Sequence, residues 1–71
     1  MVKVTKTSTA IGKNLHEIRE KKGVTQEKLA LDAGVNRAYV GYIERGERNP
    51  STEVLVKLAK ALNVSPKDLF D

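Results

Sequence analysis

Cysteine is absent from this sequence, so no disulfide can staple the fold and no thiolate can act as a nucleophile or metal ligand. A single histidine, His16, rules out a zinc site built from histidine and cysteine. No apolar run exceeds four residues, too short to cross a bilayer. Met1 to Lys6 has no apolar core segment of the kind a signal peptide needs. The expected setting is therefore cytoplasmic. No Ser–His–Asp set, metal cluster or phosphate loop is present, and a small helical domain offers no deep pocket. An enzyme is not expected, nor a cofactor, a metal or a small-molecule ligand.

What remains is a short, basic chain. Its 71 residues make one small domain with a thin stability margin, to be met by well-made helices or by a partner chain. Lysine and arginine number 13 against 9 aspartates and glutamates, a net charge of +4. The excess sits wholly in residues 1–22, where Lys3, Lys6, Lys13, Arg19, Lys21 and Lys22 face two acidic residues. A basic balance favours a polyanionic partner.

Residues 1–7 read as an N-terminal arm, either frayed or reaching toward a polyanion, and 8–71 as the domain. Ile11, Leu15 and Ile18 form one helical stripe, predicting a helix over 8–22 capped by Thr7 or Ser8 and stopped at Gly23. Thr25 opens a second helix, 26–33, with Leu29, Ala30 and Ala33 inward and Gly34 as its stop. Asn36 caps a third, 37–45, with Val40 and Ile43 inward. Ser51 caps a fourth, which carries Val54, Leu55, Leu58, Ala59 and Leu62 and stops at Asn63. Ser65-Pro66-Lys67-Asp68 starts a short fifth helix, 66–70. The fold class is all-α, five helices in one compact domain.

Between the second and third helices, Gly34-Val35-Asn36 must turn the chain sharply, which a glycine with positive φ permits. Ala30 must be small where the helices cross, and Val40 and Ile43 fill the angle. This spacing marks a helix-turn-helix, whose second helix enters a DNA major groove. Gly-Val-Thr-Gln-Glu-Lys-Leu-Ala (23–30), Ala-Gly-Val-Asn-Arg (33–37), Tyr-Ile-Glu-Arg-Gly-Glu-Arg-Asn-Pro-Ser (42–51) and Leu-Ala-Lys-Ala-Leu-Asn-Val-Ser (58–65) resemble the phage repressor and Cro helix-turn-helix family over residues 11–70. Within it, Asn36-Arg37-Ala38-Tyr39 and the Ile-Glu-Arg-Gly-Glu-Arg-Asn run look most like the controller proteins of restriction–modification systems.

The resemblance implies a repressor-like DNA-binding domain acting as a transcriptional regulator in a prokaryote or phage. It would bind double-stranded DNA as a homodimer on a palindromic operator, since one module reads few base pairs. Physics and resemblance place base reading at the start of the third helix, on Asn36, Arg37, Ala38, Gly41 and Tyr42. Arginine can fork onto guanine O6 and N7, and Ala38 can touch a thymine methyl. Gly41 reads either as a close approach to DNA or as a tolerated exposed glycine. Phosphate contacts are expected from Thr25 and Gln26 at the second helix N-terminus and from Arg45, Arg48 and Asn49. In the family, a glutamine at Gln26 grips phosphate. The family also offers Tyr39 as a phosphate donor; the other reading is a half-buried ring. Arg19 and Glu44 pair across helices in the family, where otherwise they would be solvated charges. His16, beside the apolar stripe, is assigned no role. Leu69 and Phe70, left over after four helices close a core, are the expected dimer contact; alternatively Phe70 completes the monomer core. A second functional class is a protein-interaction module, such as an antitoxin's partner-binding domain or a coactivator. An antitoxin calls for an added segment to wrap its partner.

Overall fold

The stripe of Ile11 and Leu15 builds α1, Lys6–Lys21, and buries both side chains. The computed structural model describes residues 6–70, with side chains from residue 9 onward. Most of the expected arm, 1–5, lies outside the described residues. Lys6 and Thr7 already belong to α1, so Thr7 and Ser8 sit inside the helix and cannot cap it. Four more helices follow: α2 (Gln26–Ala33), α3 (Arg37–Glu44), α4 (Thr52–Ala61) and α5 (Lys67–Phe70). The described residues contain no strand.

Local chemistry sets these boundaries. The first N–H groups of a helix lack intrahelical partners, and a side-chain oxygen at the cap supplies one. Thr25 Oγ1 accepts from the Lys28 N–H at 3.0 Å, Asn36 Oδ1 from Ala38 at 2.8 Å and Ser51 Oγ from Val54 at 3.2 Å. At α5 the arrangement is reciprocal. Ser65 Oγ accepts from the Lys67 N–H, while Asp68 Oδ2 accepts from the Ser65 N–H. Gly34 takes φ 70° in the α2–α3 turn, and Asn63 takes φ 57° after α4, both left-handed as their residue types allow.

The core joins Leu29, Ala30 and Ala33 of α2, Val40 and Ile43 of α3, and Leu55, Leu58 and Ala59 of α4 to the α1 stripe. α1 packs on α3 and α5, while α2 packs on α3 and α4. Ala30 is buried where α2 and α3 cross. A second close approach is absent from the sequence reading. A Cβ added at Gly12 would lie 2.2 Å from the Ile43 carbonyl oxygen, so α1 meets the end of α3 backbone to backbone.

The expected dimer contact needs correcting at Leu69. Its side chain is 0% exposed and belongs to the core, whereas Phe70 is 53% exposed. The single turn of α5 turns Leu69 inward against α1, and Asn14 Nδ2 donates to the Leu69 carbonyl at 3.0 Å. Phe70 is therefore the one of the pair left on the surface. Leu69→Ala should cost about 2–5 kcal/mol, as for a fully buried leucine, and Phe70→Ala a small fraction of that. Urea unfolding of the two variants at one protein concentration checks the contrast; equal losses would contradict it.

Candidate nucleic-acid interface

Eight residues of α3 present two faces. Val40 and Ile43 point into the core, while Arg37, Ala38 and Tyr42 are exposed on the opposite side. A shallow groove along that side is lined by Gln26, Arg37, Ala38, Gly41, Tyr42 and Arg45. Four of the five expected base readers are thus brought together, joined by two of the expected phosphate contacts. Asn36 is exposed at the α3 cap, with its Oδ1 committed to the Ala38 N–H. Thr25 is likewise a working cap. Tyr39 is half-buried against the core, and Arg48 and Asn49 are exposed in the loop after α3.

Gly41 lines the groove but is not the exposed glycine that one reading expected. It is buried, because the Arg45 side chain lies across it; a Cβ there would stand 3.1 Å from Arg45 Nη1. The Arg45 guanidinium reaches the Tyr42 ring, its carbon 5.3 Å from the centroid, and that of Arg48 reaches the same ring at 5.6 Å. Glu47 Oε2 accepts from Arg45 Nε at 3.2 Å.

Behind the groove, the ion pair between Arg19 and Glu44 is present and buried. Arg19 is 7% exposed, and the Glu44 side chain 5%. Arg19 Nε donates to Glu44 Oε2 at 2.6 Å and Nη2 to Oε1 at 3.1 Å, a two-pronged grip. Arg19 Nη1 also donates to the Val24 carbonyl at 2.8 Å, tying down the α1–α2 turn. Two further groups that sequence reasoning did not place here complete the cluster. Gln26 Nε2 donates to Glu44 Oε1 at 3.1 Å, and His16 Nδ1 lies 2.9 Å from the same oxygen. Arg19 Nη2 stands 3.2 Å from the same His16 nitrogen, which donates to the carboxylate in one tautomer and accepts from the guanidinium in the other. His16 stands three residues before Arg19, on the same side of α1, and that spacing was the available signal. Nothing local could have tied Gln26 to Glu44, 18 residues later.

Burial pushes the Glu44 carboxyl up, but hydrogen bonds from Arg19, His16 and Gln26, with the Arg19 charge, outweigh it and hold the group below its ordinary value. The hydrogen bond to Glu44 likewise raises Arg19 above its own. Among the described residues, no buried side-chain polar atom lacks a partner, and no acidic or histidine cluster could hold a metal. No described helix is long and apolar enough to cross a membrane.

The helix-turn-helix family pattern matches residues 15–69. The chain belongs to the helix-turn-helix family. It is 46% identical over 61 residues to control protein C.BamHI of Bacillus amyloliquefaciens, covering 84% of this chain and 75% of that one. The fold is similar to the restriction–modification controller protein C.AhdI of Aeromonas hydrophila, with a TM-score of 0.86, 46% identity and coverage of 89% and 96%. It is also similar to the controller protein C.Esp1396I, solved as a tetramer in complex with its natural 35 base-pair operator. There the TM-score is 0.85 and the identity 33%, covering 93% of this chain and 87% of that one.

The cluster makes stability depend on acid. A carboxyl held below its unfolded value of about 4.3 adds stability above that pH and loses it as pH falls through the folded value. Glu44→Ala should cost up to roughly 3 kcal/mol at pH 7, because Arg19 is left buried without its partner. Glu47→Ala, on the surface, should stay within about 0.5 kcal/mol. The gap between wild type and Glu44→Ala should shrink below pH 4. Urea midpoints at pH 7 and pH 3 measure it; a gap that does not change with pH would contradict the assignment.

Proposed function

We propose that this chain is a sequence-specific, DNA-binding transcriptional regulator that acts as a homodimer on a palindromic operator, with α3 in the major groove. The observation that carries the reading is the groove on α3. Arg37 and Ala38 stand exposed at the N-terminal end of the second helix of a helix-turn-helix, flanked by Gln26 and Arg45. In this reading Arg37 forks onto a guanine and Ala38 touches a neighbouring base edge, with Asn36 at the helix cap beside them. Thr25, Gln26, Tyr39, Arg45, Arg48 and Asn49 hold phosphates on either side and set the register. The similarity to control proteins supports a controller's role beside restriction–modification genes, and with it a cytoplasmic location. Phe70, exposed at the end of α5, is the residue left to seed the two-fold contact.

Reader and clamp separate experimentally. Arg37→Ala should relax the preference at one base pair of each half-site and cost roughly 1–3 kcal/mol per contact. Arg48→Ala should weaken all sequences about equally and flatten the salt dependence by about 0.9 in d log K/d log salt for each phosphate lost. Binding titrations on a duplex enriched from a random-sequence pool, and on single-base variants of it, decide. If Arg48→Ala shifts the preferred base and Arg37→Ala does not, the roles are reversed; a flat salt dependence would sink the DNA-binding reading.

A further inference from the structure

Tyr42 faces the groove yet is occupied by this chain's own cations. The ring is 40% exposed. Both guanidinium carbons stand within about 6 Å of its centroid, the range in which a cation is drawn to a ring face. The seat for one of them is built into the helix. Arg45 follows Gly41 by one turn, and its guanidinium lies across the open position there, Nη1 3.1 Å from where a Cβ would stand. Glu47 Oε2 accepts from the Nε of the same guanidinium at 3.2 Å, a second contact on Arg45. Among the described residues, the Tyr42 ring is the partner of Arg48.

We propose that Tyr42 is a positioning residue for DNA binding rather than a base reader: its ring sets the two phosphate-binding arginines, Arg45 and Arg48, before DNA arrives. The inference rests on the DNA-binding reading above and assigns a different role to one residue of that site. Long cationic side chains lose rotamer freedom when they grip a phosphate, and a ring that has already ordered them removes part of that cost. A guanidinium also keeps its N–H edge free while its face lies on a ring, so stacking and phosphate binding are compatible. Phosphate contacts carry no sequence information, so a residue acting through them changes affinity for every sequence alike.

The test uses the full chain with two duplexes, one enriched from a random-sequence pool by the wild type and one of scrambled sequence. Tyr42→Leu keeps an apolar side chain on a half-exposed position but removes the ring. It should weaken binding about three- to tenfold on both duplexes, leaving their ratio and the preferred bases unchanged. Tyr42→Phe keeps the ring and loses the hydroxyl, and should bind within about twofold of wild type. In an Arg45→Ala/Arg48→Ala background, Tyr42→Leu should cost nothing further, because the groups it positions are gone. Circular dichroism melts identify any variant that is unfolded, and the Tyr42→Phe arm stands without the leucine variant. A preferred base that changes in Tyr42→Leu, a loss in Tyr42→Phe as large as in Tyr42→Leu, or an undiminished cost in the arginine-free background would overturn the inference while leaving DNA binding intact. A wild-type chain that enriches no duplex would overturn both.

Discussion

A carboxylate taken out of water must have its lone pairs occupied, and at Glu44 the occupants come from two other helices. Arg19 and His16 arrive from α1, Gln26 from the first position of α2, and the carboxylate itself ends α3. Such a pair adds little net stability compared with a well-packed apolar replacement, because desolvation offsets most of the attraction. Its consequence is geometric. These contacts tie α1 and α2 to the last residue of α3 at one corner. The Gly12–Ile43 backbone approach closes the same corner from the other side. With its C-terminal end pinned there, α3 has its N-terminal half held out at a set angle, carrying Arg37 and Ala38 into solvent.

The same short helix serves packing and recognition through its period. At 3.6 residues per turn, Val40 and Ile43 share the buried side, and Arg37, Ala38, Tyr42 and Arg45 the open one. Gln26 belongs to both systems: its amide donates to the buried carboxylate, and its side chain also lines the groove. A phosphate held there would thus rest on a residue already oriented from inside the protein, as binding sites with ordered supports generally do.

Most features that depend on neighbours within one turn were legible in the sequence, the start of α1 excepted. The caps at Thr25, Asn36 and Ser51 and the left-handed stops at Gly34 and Asn63 are of this kind, since each needs only a particular residue type at a particular offset. The apolar stripes of α1 and α4 were legible for the same reason. Leu69 was not, because a one-turn helix has no period to reveal its inward face, and what buries it is α1, more than fifty residues earlier. The family resemblance supplied the Arg19–Glu44 pair, which spacing alone left open. The burial of Gly41 was not legible, since it depends on where the Arg45 guanidinium comes to rest.

Methylation protection with dimethyl sulfate tests the central claim most directly, because the reagent marks guanine N7 in the major groove and adenine N3 in the minor groove. A homodimer reading DNA through α3 should protect guanine N7 in two symmetric clusters about 10 base pairs apart. The guanine that Arg37 contacts should lose its protection in Arg37→Ala. Protection confined to adenine N3, or a single unpaired cluster that Arg37→Ala leaves unchanged, would contradict the account.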